Sequence, residues 1–362
     1  MTNRERTIHC ALNKPIDRSP FCFYFGPWTE TAERWKKENG KGENAWREGF
    51  GFDEAVQALG SMGVSMLHYP EFETKILKRE GNKIISQDFL GEIVESYEGV
   101  SNIPKILKSP VETREDWENL KKSKLNPDDP GRFPENWDEM VRQLNDSDAP
   151  VQLGVYPCGL YGTLRDLMGV EKSLCAFYDE PELVKDIMGY LTDFWICIYE
   201  KICKVVKADI LHIWEDMSGK QGSLISPAMV QEFMLPNYRK LRDFAEAHGI
   251  QIMQVDTDGN PEELIPLFAE AGVNMMMPFE VSGGCDIVAL RKKYPYMSMM
   301  GGIDKREIAK GRAAIDAELN RIKPLINKPG YFPALDHLIP PEISYDDYRY
   351  FVNQLKELIF RK

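Results

Sequence analysis

The sequence has few basic residues for its acidic content, and it lacks any long apolar run. It holds 45 Lys and Arg against 57 Asp and Glu, which gives a formal net charge of -12. Nucleic acids and anionic membrane surfaces are bound through clustered Lys and Arg, so this charge argues against both as partners. No segment approaches the roughly 18 consecutive apolar residues that a membrane span needs. The composition therefore predicts a soluble protein.

Paired cysteines and nucleotide-binding motifs are also missing. The seven cysteines are an odd number, none of them belongs to a CxxC pair, and the opening segment is polar rather than a secretory signal. These features are typical of a reducing compartment and predict a cytoplasmic protein. The sequence contains no P-loop, no GxGxxG fingerprint and no nucleophile elbow, so no familiar phosphate or serine-hydrolase chemistry is indicated.

The sequence does contain a series of short apolar runs separated by helical patterns. Its 362 residues, 43% of them hydrophobic, suit one large barrel or two ordinary domains. The runs are apolar on both faces, as buried parallel strands are. They lie at residues 21–25, 64–69, 151–156, 209–214, 251–255, 274–278, 297–300 and 331–334. Eight such strands alternating with helices predict an α/β fold, a single (β/α)8 TIM barrel over residues 1–362.

Residues 71–150 interrupt this alternation after the second predicted strand. A stretch of alternating character surrounds Gly81-Asn82 and predicts a small hairpin, and a segment rich in turn formers follows it. We interpret residues 71–150 as an insertion that lies over the barrel mouth as part of a lid. A surface excursion without function is an equally good interpretation of the pattern.

Charged residues follow five of the apolar runs directly. In a barrel, residues at the carboxyl ends of the strands meet over one mouth, where the chemistry of such folds takes place. The clusters are Glu215-Asp216, Asp256-Thr257-Asp258, Glu280, Asp304-Lys305 and Asp336-His337. Carboxylates held at one mouth raise one another's pKa unless a cation neutralises them, so such a set binds a metal or transfers protons. The sequence thus predicts an enzyme with a carboxylate-rich site.

Several segments of the second half of the chain carry recognisable motifs. Residues 208–245 combine a strand ending in an acidic pair with an S-P helix start and an F-x-L-P-x-Y helix. Residues 256–260 stand in place of an H-x-C-G-N segment, residues 301–304 resemble a G-N-x-D strand end, and residues 335–341 resemble a closing G-H-G-x-x-P segment. In this order, over roughly 150–362, they resemble the uroporphyrinogen decarboxylase superfamily. The resemblance implies a single (β/α)8 barrel.

One branch of that superfamily decarboxylates a tetrapyrrole. Its members carry an N-terminal R-Q-A-G-R segment whose arginines pair with the substrate propionates. The matching place here, residues 24–31, reads YFGPWTET and holds no arginine fork. A substrate with many carboxylates needs bidentate cationic partners, and an acidic mouth would repel it. Porphyrin-type decarboxylation therefore remains an alternative rather than the primary hypothesis.

The other branch consists of zinc-dependent methyltransferases that work with corrinoid proteins. The resemblance maps their metal ligands onto Asp256, Asp258 and His337. This set is harder than the family's sulfur-containing one, and it suits Zn²⁺ most, or Mn²⁺ or Fe²⁺, as a Lewis acid on oxygen. That favours activation of an ether, alcohol or phenol oxygen over a thiol. For Asp258 a helix cap, and for His337 a loop histidine, are the structural alternatives.

The remaining site candidates are expected to bind substrate or transfer protons. Glu215 or Asp216, together with Glu280, would orient substrate or move protons, although an acidic loop bonded to nearby backbone is an alternative for the first two. Lys305 would anchor an anionic group or else be a solvated helix residue. The predicted substrate contacts, some of which pack equally well as core, are Trp28, His68, Tyr156, Asp304 and Asp336.

The primary hypothesis is a metal-assisted methyltransferase. It would move a methyl group between a small polar, O-methylated substrate and a corrinoid carried by a partner protein, since no cobalamin-binding segment is recognisable. Rivals are a uroporphyrinogen-type decarboxylase, a metal-dependent isomerase or lyase acting on a sugar-like hydroxy compound, and a non-catalytic binding protein. The sequence leaves a homodimer open.

Overall fold

The computed structural model of the protein describes residues 1–40, 43–54, 56–99 and 104–361. Within these ranges no helix is both long and apolar enough to cross a membrane. Residues 100–103, which belong to the predicted insertion, fall outside the described part of the chain.

Strands of the described residues form three sheets. The strands are β1 Gln57–Ala58, β2 Lys75–Glu80, β3 Lys83–Gln87, β4 Ile93–Tyr97, β5 Lys105–Lys108, β6 Val151–Leu153, β7 Ile210–Trp214, β8 Ser218–Gly219, β9 Gly222–Ser223, β10 Ile252–Asp256, β11 Met275–Phe279, β12 Ser298–Ile303 and β13 Tyr331–Leu335. A parallel seven-stranded sheet has the order β1-β6-β7-β10-β11-β12-β13. β2 to β5 form an antiparallel sheet in chain order, and β8 pairs with β9.

Helices fill most of the connections between the parallel strands. They are α1 Asn3–Ala11, α2 Thr29–Asn39, α3 Arg114–Lys124, α4 Trp137–Asp146, α5 Leu160–Met168, α6 Val170–Asp179, α7 Pro181–Cys203, α8 Pro227–Met229, α9 Leu235–Ala247, α10 Ile265–Glu270, α11 Ile287–Lys293, α12 Lys305–Ile308, α13 Arg312–Ile322 and α14 Tyr345–Phe360. Ser226 and Ser344 cap α8 and α14 with their side chains, as their sequence context predicts. The α/β fold is confirmed.

Six of the predicted strands are present as β6, β7, β10, β11, β12 and β13. Each is buried, and neighbours pair in parallel register, so that Asp256 lies beside Trp214 on one side and Met277 on the other. The methionines of β11 and β12 are in the core, because a parallel sheet covered by helices buries both of its faces.

The predicted strands at 21–25 and 64–69 are wrong, and the sheet begins instead with β1. Both segments are buried, but side chains satisfy their backbone groups. The Asp53 side chain accepts a hydrogen bond from the Phe21 N–H at 2.8 Å, and the Asp53 backbone N–H donates to the Phe21 carbonyl. The buried Arg132 guanidinium donates to the carbonyls of Ser65 and Leu67. A segment whose polar groups are paired in this way has no need of a neighbouring strand.

The hairpin predicted around Gly81-Asn82 is confirmed. β2 and β3 pair in antiparallel register up to Glu80 opposite Lys83, and Gly81 has the positive φ of 62° that such a turn favours. β4 and β5 extend it to four strands. The interpretation of residues 71–150 as a lid stays a prediction.

Candidate active site

Asp256 ends β10, and its side chain points to the same face of the sheet as a buried histidine. Its Oδ2 atom lies 3.7 Å from Nε2 of His212, and only 6% of the residue is exposed. Burial, reinforced by the charges of Asp258 and Asp216, raises the pKa of Asp256 well above its usual range. This environment favours the protonated, uncharged form of the carboxyl group.

His212 is fixed in one tautomer by its neighbours. Nδ1 lies 3.2 Å from Oε1 of Gln254, which can only accept, so this nitrogen carries the proton. Nε2 then presents a lone pair to Asp256 and has no other partner. Tyr24 stacks on the ring at 5.8 Å. Burial lowers the pKa of His212 to about 4, so the ring is neutral, and at 3.7 Å from Asp256 its Nε2 makes no hydrogen bond.

Asp258 and His337 form a second carboxyl–imidazole pair. His337 Nε2 lies 3.3 Å from Asp258 Oδ1, and Phe25 stacks on the ring at 4.7 Å. The local turn considered for Asp258 is formed by Asn260 instead, whose side chain accepts from the Glu262 N–H, while the short 3-10 helix Glu262–Leu264 has no side-chain cap. Asp258 is therefore free of a capping role and, with about a third of its side chain exposed, can reach a ligand.

The structure does not assemble the predicted metal-ligand set. Asp258 contacts His337, whereas Asp256 faces His212. Among the described residues, no three His, Cys, Asp or Glu side chains are gathered closely enough to hold a metal ion. The donors as arranged do not fit a divalent metal, which needs at least three protein ligands in a catalytic site.

Lys305 lies between two of the predicted acidic residues. Its Nζ is 3.2 Å from Oε1 of Glu280 and 3.7 Å from Oδ1 of Asp336. Asp336 is fully buried and also accepts from the backbone N–H groups of Val281 and Lys305. Burial raises the pKa of Asp336, and the nearby Lys305 opposes the rise. These contacts make Asp336 an anchor for two strand ends, and Glu280 and Lys305 an ion pair whose side chains are each 18% exposed.

Asp304 is engaged by the helix that follows it. Its carboxylate caps α12 by accepting from the Arg306 N–H and forms two further bonds with the guanidinium of Arg306 at 2.8 and 2.7 Å. Burial works against ionisation, but the hydrogen bonds from Arg306 outweigh it and lower the pKa of Asp304. This geometry favours a structural role for Asp304 over the predicted substrate contact.

Glu215 is bonded entirely within the protein. Its two carboxylate oxygens accept from the backbone N–H groups of Leu160, Tyr161 and Gly162 at the start of α5, and from the Tyr238 hydroxyl at 2.7 Å. It has no exposed surface, and burial raises its pKa to about 7. Carboxylates suit helix N-termini, so these contacts favour a structural role over proton transfer.

Asp216 points another way from its neighbour. Its backbone has a positive φ of 42°, and its carboxylate forms a 2.6 Å ion pair with Arg165 of α5. Arg165 in turn lies over the Trp214 ring at 5.1 Å. Nearly a third of the Asp216 side chain is exposed, so this carboxylate rather than Glu215 can meet a substrate.

The predicted aromatic and histidine contacts lie in two places. Trp28 is about one-third exposed and pairs its backbone with Ile339, close to the His337 end of β13. His68 and Tyr156 line one cavity, and Tyr156 meets Trp214 edge-on at 4.5 Å. Trp28 thus lies near the end of β13, whereas His68 and Tyr156 lie beside the end of β6.

The family model described as Uroporphyrinogen decarboxylase (URO-D) matches residues 89–358, about three-quarters of the chain. The chain belongs to the uroporphyrinogen decarboxylase family. No curated protein matches it closely.

Two solved structures are similar to this chain. A methyltransferase from Methanosarcina mazei aligns over 99% of both chains with a TM-score of 0.58 and 14% identity. A Listeria monocytogenes protein named as a vitamin-B12 independent methionine synthase covers 62% of this chain and 70% of its own, with 13% identity and a TM-score of 0.34. The first likeness shows a common fold over the whole chain.

Sequence reasoning missed several residues of this family member's site. His212 reads as an interior residue of β7, yet its position two before the strand end places it beside Gln254 and Asp256, and that alternation was the available signal. Arg165 lies on α5, and no sequence motif marked it as a site residue. Glu92 and Asp166, which approach each other from the small sheet and α5, come from segments that no sequence pattern connects.

Proposed function

We propose that this protein is a methyltransferase that moves a methyl group between a small, polar, O-methylated substrate and a corrinoid carried by a partner protein. The observation that carries the proposal is the charge balance of the mouth. Three cations near the strand ends of the described chain are already paired: Lys305 with Glu280 and Asp336, Arg165 with Asp216, and Arg306 with Asp304. The fold shared with the Methanosarcina methyltransferase supports it.

This charge balance weighs against decarboxylation of a porphyrinogen. Such a substrate brings several carboxylates, each of which needs a cationic partner with unused donors. Arg165 and Arg306 would have to break short ion pairs of 2.6 and 2.7 Å to supply them. A neutral ether makes no such demand, and a protonated carboxyl group can bind its oxygen.

The chemistry of demethylation assigns a role to Asp256. When the carbon–oxygen bond of a methyl ether breaks, both bonding electrons stay on oxygen, which takes up a proton, and the methyl group passes to the nucleophile. The reduced corrinoid supplies that nucleophile. Asp256, whose protonated form is favoured by burial, donates the proton to the leaving oxygen, and neutral His212 lies beside the carboxyl group.

The other mouth residues bind and orient. The partly exposed pair of Glu280 and Lys305 can form a hydrogen bond with a substrate hydroxyl while the two side chains stay paired. Asp258 follows Asp256 by two residues, and its partner His337 lies just after the end of β13. No step is assigned to a metal ion, because Asp256, Asp258 and His337 do not form one ligand group.

The seven-stranded sheet supports a finer proposal for the architecture. We infer a single barrel of the (β/α)8 type with residues 71–150 inserted over its mouth. Phe89 and Leu90, in the turn between β3 and β4, line a cavity together with Tyr156 after β6. That contact brings the small sheet to the carboxyl ends of the parallel strands, where a lid belongs.

The test is an assay with the full chain, a reduced corrinoid protein and a panel of methyl ethers. We expect methylation of the corrinoid, followed by its visible spectrum, and release of the corresponding alcohol or phenol. Uroporphyrinogen is included in the panel. Release of CO₂ from it, with no methylation of the corrinoid by any ether, would replace the proposal with the decarboxylase alternative.

A further inference from the structure

Asp216, just after β7, has a backbone conformation that a side chain disfavours. Its φ is 42°, in the left-handed region. In the part of the chain that the structure describes, Asn13 and Asn327 are the other non-glycine residues with a positive φ, and neither follows the carboxyl end of a parallel strand. The β-carbon makes this conformation costly for every residue except glycine, so surrounding contacts have to hold it. An outlier of this kind beside a proposed active site points to a function for the turn.

The conformation of Asp216 lets three successive N–H groups bind the end of β10. Those of Glu215 and Asp216 both donate to the Asp256 carbonyl, at 2.8 and 3.3 Å, and that of Met217 donates to the Thr257 hydroxyl at 3.0 Å. Successive N–H groups of an extended strand point to opposite edges, so three in a row on one segment require a turned backbone. The left-handed Asp216 supplies this turn between the second and third donors. Residues 215–217 are here called the 215–217 turn.

Helix α5 contacts the 215–217 turn at two points. Three N–H groups at the start of the helix donate to the Glu215 carboxylate. Farther along the helix, Nη1 of Arg165 donates both to the Asp216 backbone carbonyl at 3.0 Å and to its carboxylate at 2.6 Å. A donor bonded to the main chain and the side chain of one residue restricts rotation about the bonds between them. These contacts make Arg165 the group that holds Asp216 in its left-handed conformation.

An ordinary surface ion pair does not account for this arrangement. Arg239 and Glu270 form a pair of similar length, 2.7 Å, between side chains that are each 53% exposed. Arg165 is only 18% exposed, its guanidinium lies over the Trp214 ring at 5.1 Å, and it bonds a main-chain carbonyl. Arg165 therefore binds the backbone that leaves β7 as well as a charge.

The position of Asp256 depends on its backbone bonds, because the described chain gives its carboxyl group no hydrogen-bond partner. Nε2 of His212 lies 3.7 Å from Oδ2, beyond hydrogen-bond reach. The carboxyl group thus takes its place from the Asp256 backbone, whose carbonyl is held by the 215–217 turn. Release of that carbonyl lets the carboxyl group move with the end of β10. A displacement of about 1 Å at a reacting group costs about 100-fold in rate.

We propose that Arg165 is a positioning residue for the proposed acid. It holds Asp216 in the left-handed conformation, and the 215–217 turn in consequence holds Asp256 where it meets the leaving oxygen. The inference rests on the proposed function and adds a residue to the same site. Since Arg165 acts through Asp216 and not on the substrate, its loss should lower kcat and leave KM nearly unchanged.

Three substitutions test this chain of contacts. Arg165→Met keeps an unbranched apolar stem against Trp214 and removes the guanidinium. Asp216→Gly and Asp216→Ala both remove the carboxylate, so any direct contact of that group with substrate is lost equally in the two. They differ in that glycine adopts a left-handed φ readily and alanine does not. Arg239→Met is the matched control, because it breaks a pair of similar length at the surface.

Methyl transfer by the full chain is measured with a reduced corrinoid protein and the best ether of the panel. We expect Arg165→Met to lower kcat at least ten-fold with KM within about three-fold, and Arg239→Met to change neither. Asp216→Gly should exceed Asp216→Ala at least ten-fold in kcat. In the Asp216→Gly background, Arg165→Met should cost less than three-fold, because glycine holds the turn without the guanidinium.

Equal kcat values of Asp216→Gly and Asp216→Ala would overturn the inference, since the left-handed conformation would then be irrelevant. An undiminished effect of Arg165→Met in the Asp216→Gly background would also overturn it and assign the guanidinium to the substrate itself. If Arg165→Met does not fold, the comparison at Asp216, whose side chain is 30% exposed, still decides the matter.

Amide hydrogen exchange at residues 215–217 gives a reading that needs neither ether nor corrinoid. Arg165→Met and Asp216→Ala should exchange these amides at least ten-fold faster than the wild type, and Asp216→Gly and Arg239→Met should not. Exchange in Arg165→Met that matches the wild type would overturn the inference. Exchange as expected in a wild-type protein that methylates no corrinoid would contradict the methyltransferase and leave the hold of Arg165 on the turn intact.

Discussion

At the scale of single residues, the site depends on which carboxyl groups have unused hydrogen-bonding capacity. Glu215 accepts four hydrogen bonds and Asp304 accepts three from Arg306, so neither can offer an oxygen to a substrate without breaking them. The Asp256 carboxyl group makes no such hydrogen bond to a described residue, and Nε2 of His212 lies 3.7 Å from it. A carboxyl group with one weak contact at a strand end is the better proton donor, because its proton is not already committed.

Asp256→Asn tests this assignment directly. The amide keeps the shape of a protonated carboxyl group but cannot release a proton, so we expect methyl transfer to fall by at least ~100-fold. Since the wild-type group is held neutral by burial, the free energy of unfolding should change by no more than about 1 kcal/mol. Initial rates and urea unfolding measure the two effects.

The control is Asp243→Asn on the exposed surface of α9, which should leave both quantities unchanged. An Asp256→Asn protein that folds and retains full activity would remove Asp256 from the mechanism. A variant that fails to fold would instead assign it a structural role.

Glu215→Gln should act on stability rather than directly on chemistry. The carboxylate faces four donors, whereas an amide has a single acceptor oxygen and turns its NH₂ group toward N–H groups. We expect the free energy of unfolding to drop by about 2 to 3 kcal/mol. Glu135→Gln, at an exposed position, should have no effect in the same urea titration. Unchanged stability of Glu215→Gln would show that these bonds do not hold α5 to β7.

At the scale of elements, the antiparallel sheet of β2 to β5 and helix α5 approach each other through acidic groups. Glu92 follows the turn between β3 and β4, and Asp166 lies on α5, and each has a buried oxygen without a hydrogen-bond partner. Burial, then Asp166 and Asp88, raise the pKa of Glu92 to about 8, while Arg165 opposes the rise. Burial also raises the pKa of Asp166 to about 7, with Arg165 again opposing and Asp216 adding to it.

This contact makes folding stability depend on pH in a defined direction. Between the unfolded pKa values near 4 and the folded values of about 7 and 8, the folded protein binds more protons than the unfolded chain. Stability therefore falls as pH rises through this window, and the fall ends above the folded pKa values. Asp166→Asn removes one titrating group and should stabilise the protein at pH 8, relative to its effect at pH 5, by about 2 kcal/mol.

Urea unfolding at pH 5 and pH 8 measures this difference, and Asp146→Asn, at the exposed end of α4, is the matched control. A wild-type stability that rises from pH 5 to pH 8, with Asp166→Asn showing the same rise, would mean that Glu92 and Asp166 are ionised and paired with cations instead.

At the scale of the whole molecule, the question is whether separate strand ends cooperate as one metal site. Asp256 and Asp258 come from β10 and the residues after it, and His337 from the end of β13. The described chain keeps them as two carboxyl–imidazole pairs, Asp256 with His212 and Asp258 with His337. Each carboxyl group thus lies beside an imidazole ring of the protein itself.

We therefore expect methyl transfer to survive incubation with a chelator. Initial rates before and after treatment with EDTA, with elemental analysis of the treated protein, make the comparison. Loss of activity that Zn²⁺, Mn²⁺ or Fe²⁺ restores would show that substrate or partner binding gathers Asp256, Asp258 and His337 into a ligand group. His337→Gln would then abolish both the bound metal and its restoration of activity.

The sequence by itself determined the elements that depend on local pattern. Buried parallel strands are apolar on both faces, so β6, β7 and β10 to β13 could be predicted, and so could the acidic residues at their ends and the hairpin at Gly81-Asn82. The family resemblance could be read from the same segments, because its motifs are contiguous. The serine caps of α8 and α14 are likewise local.

Only the tertiary structure decided how each acidic side chain is used. Burial, ion pairing and hydrogen bonding are set by residues distant in sequence: the α5 N–H groups that engage Glu215, the guanidinium of Arg165 that engages Asp216, and the imidazole of His212 beside Asp256. For the same reason the strands expected at 21–25 and 64–69 were wrong. Apolar periodicity reports that a segment is buried, but Asp53 and Arg132, far along the chain, satisfy backbone groups that a strand would otherwise have paired.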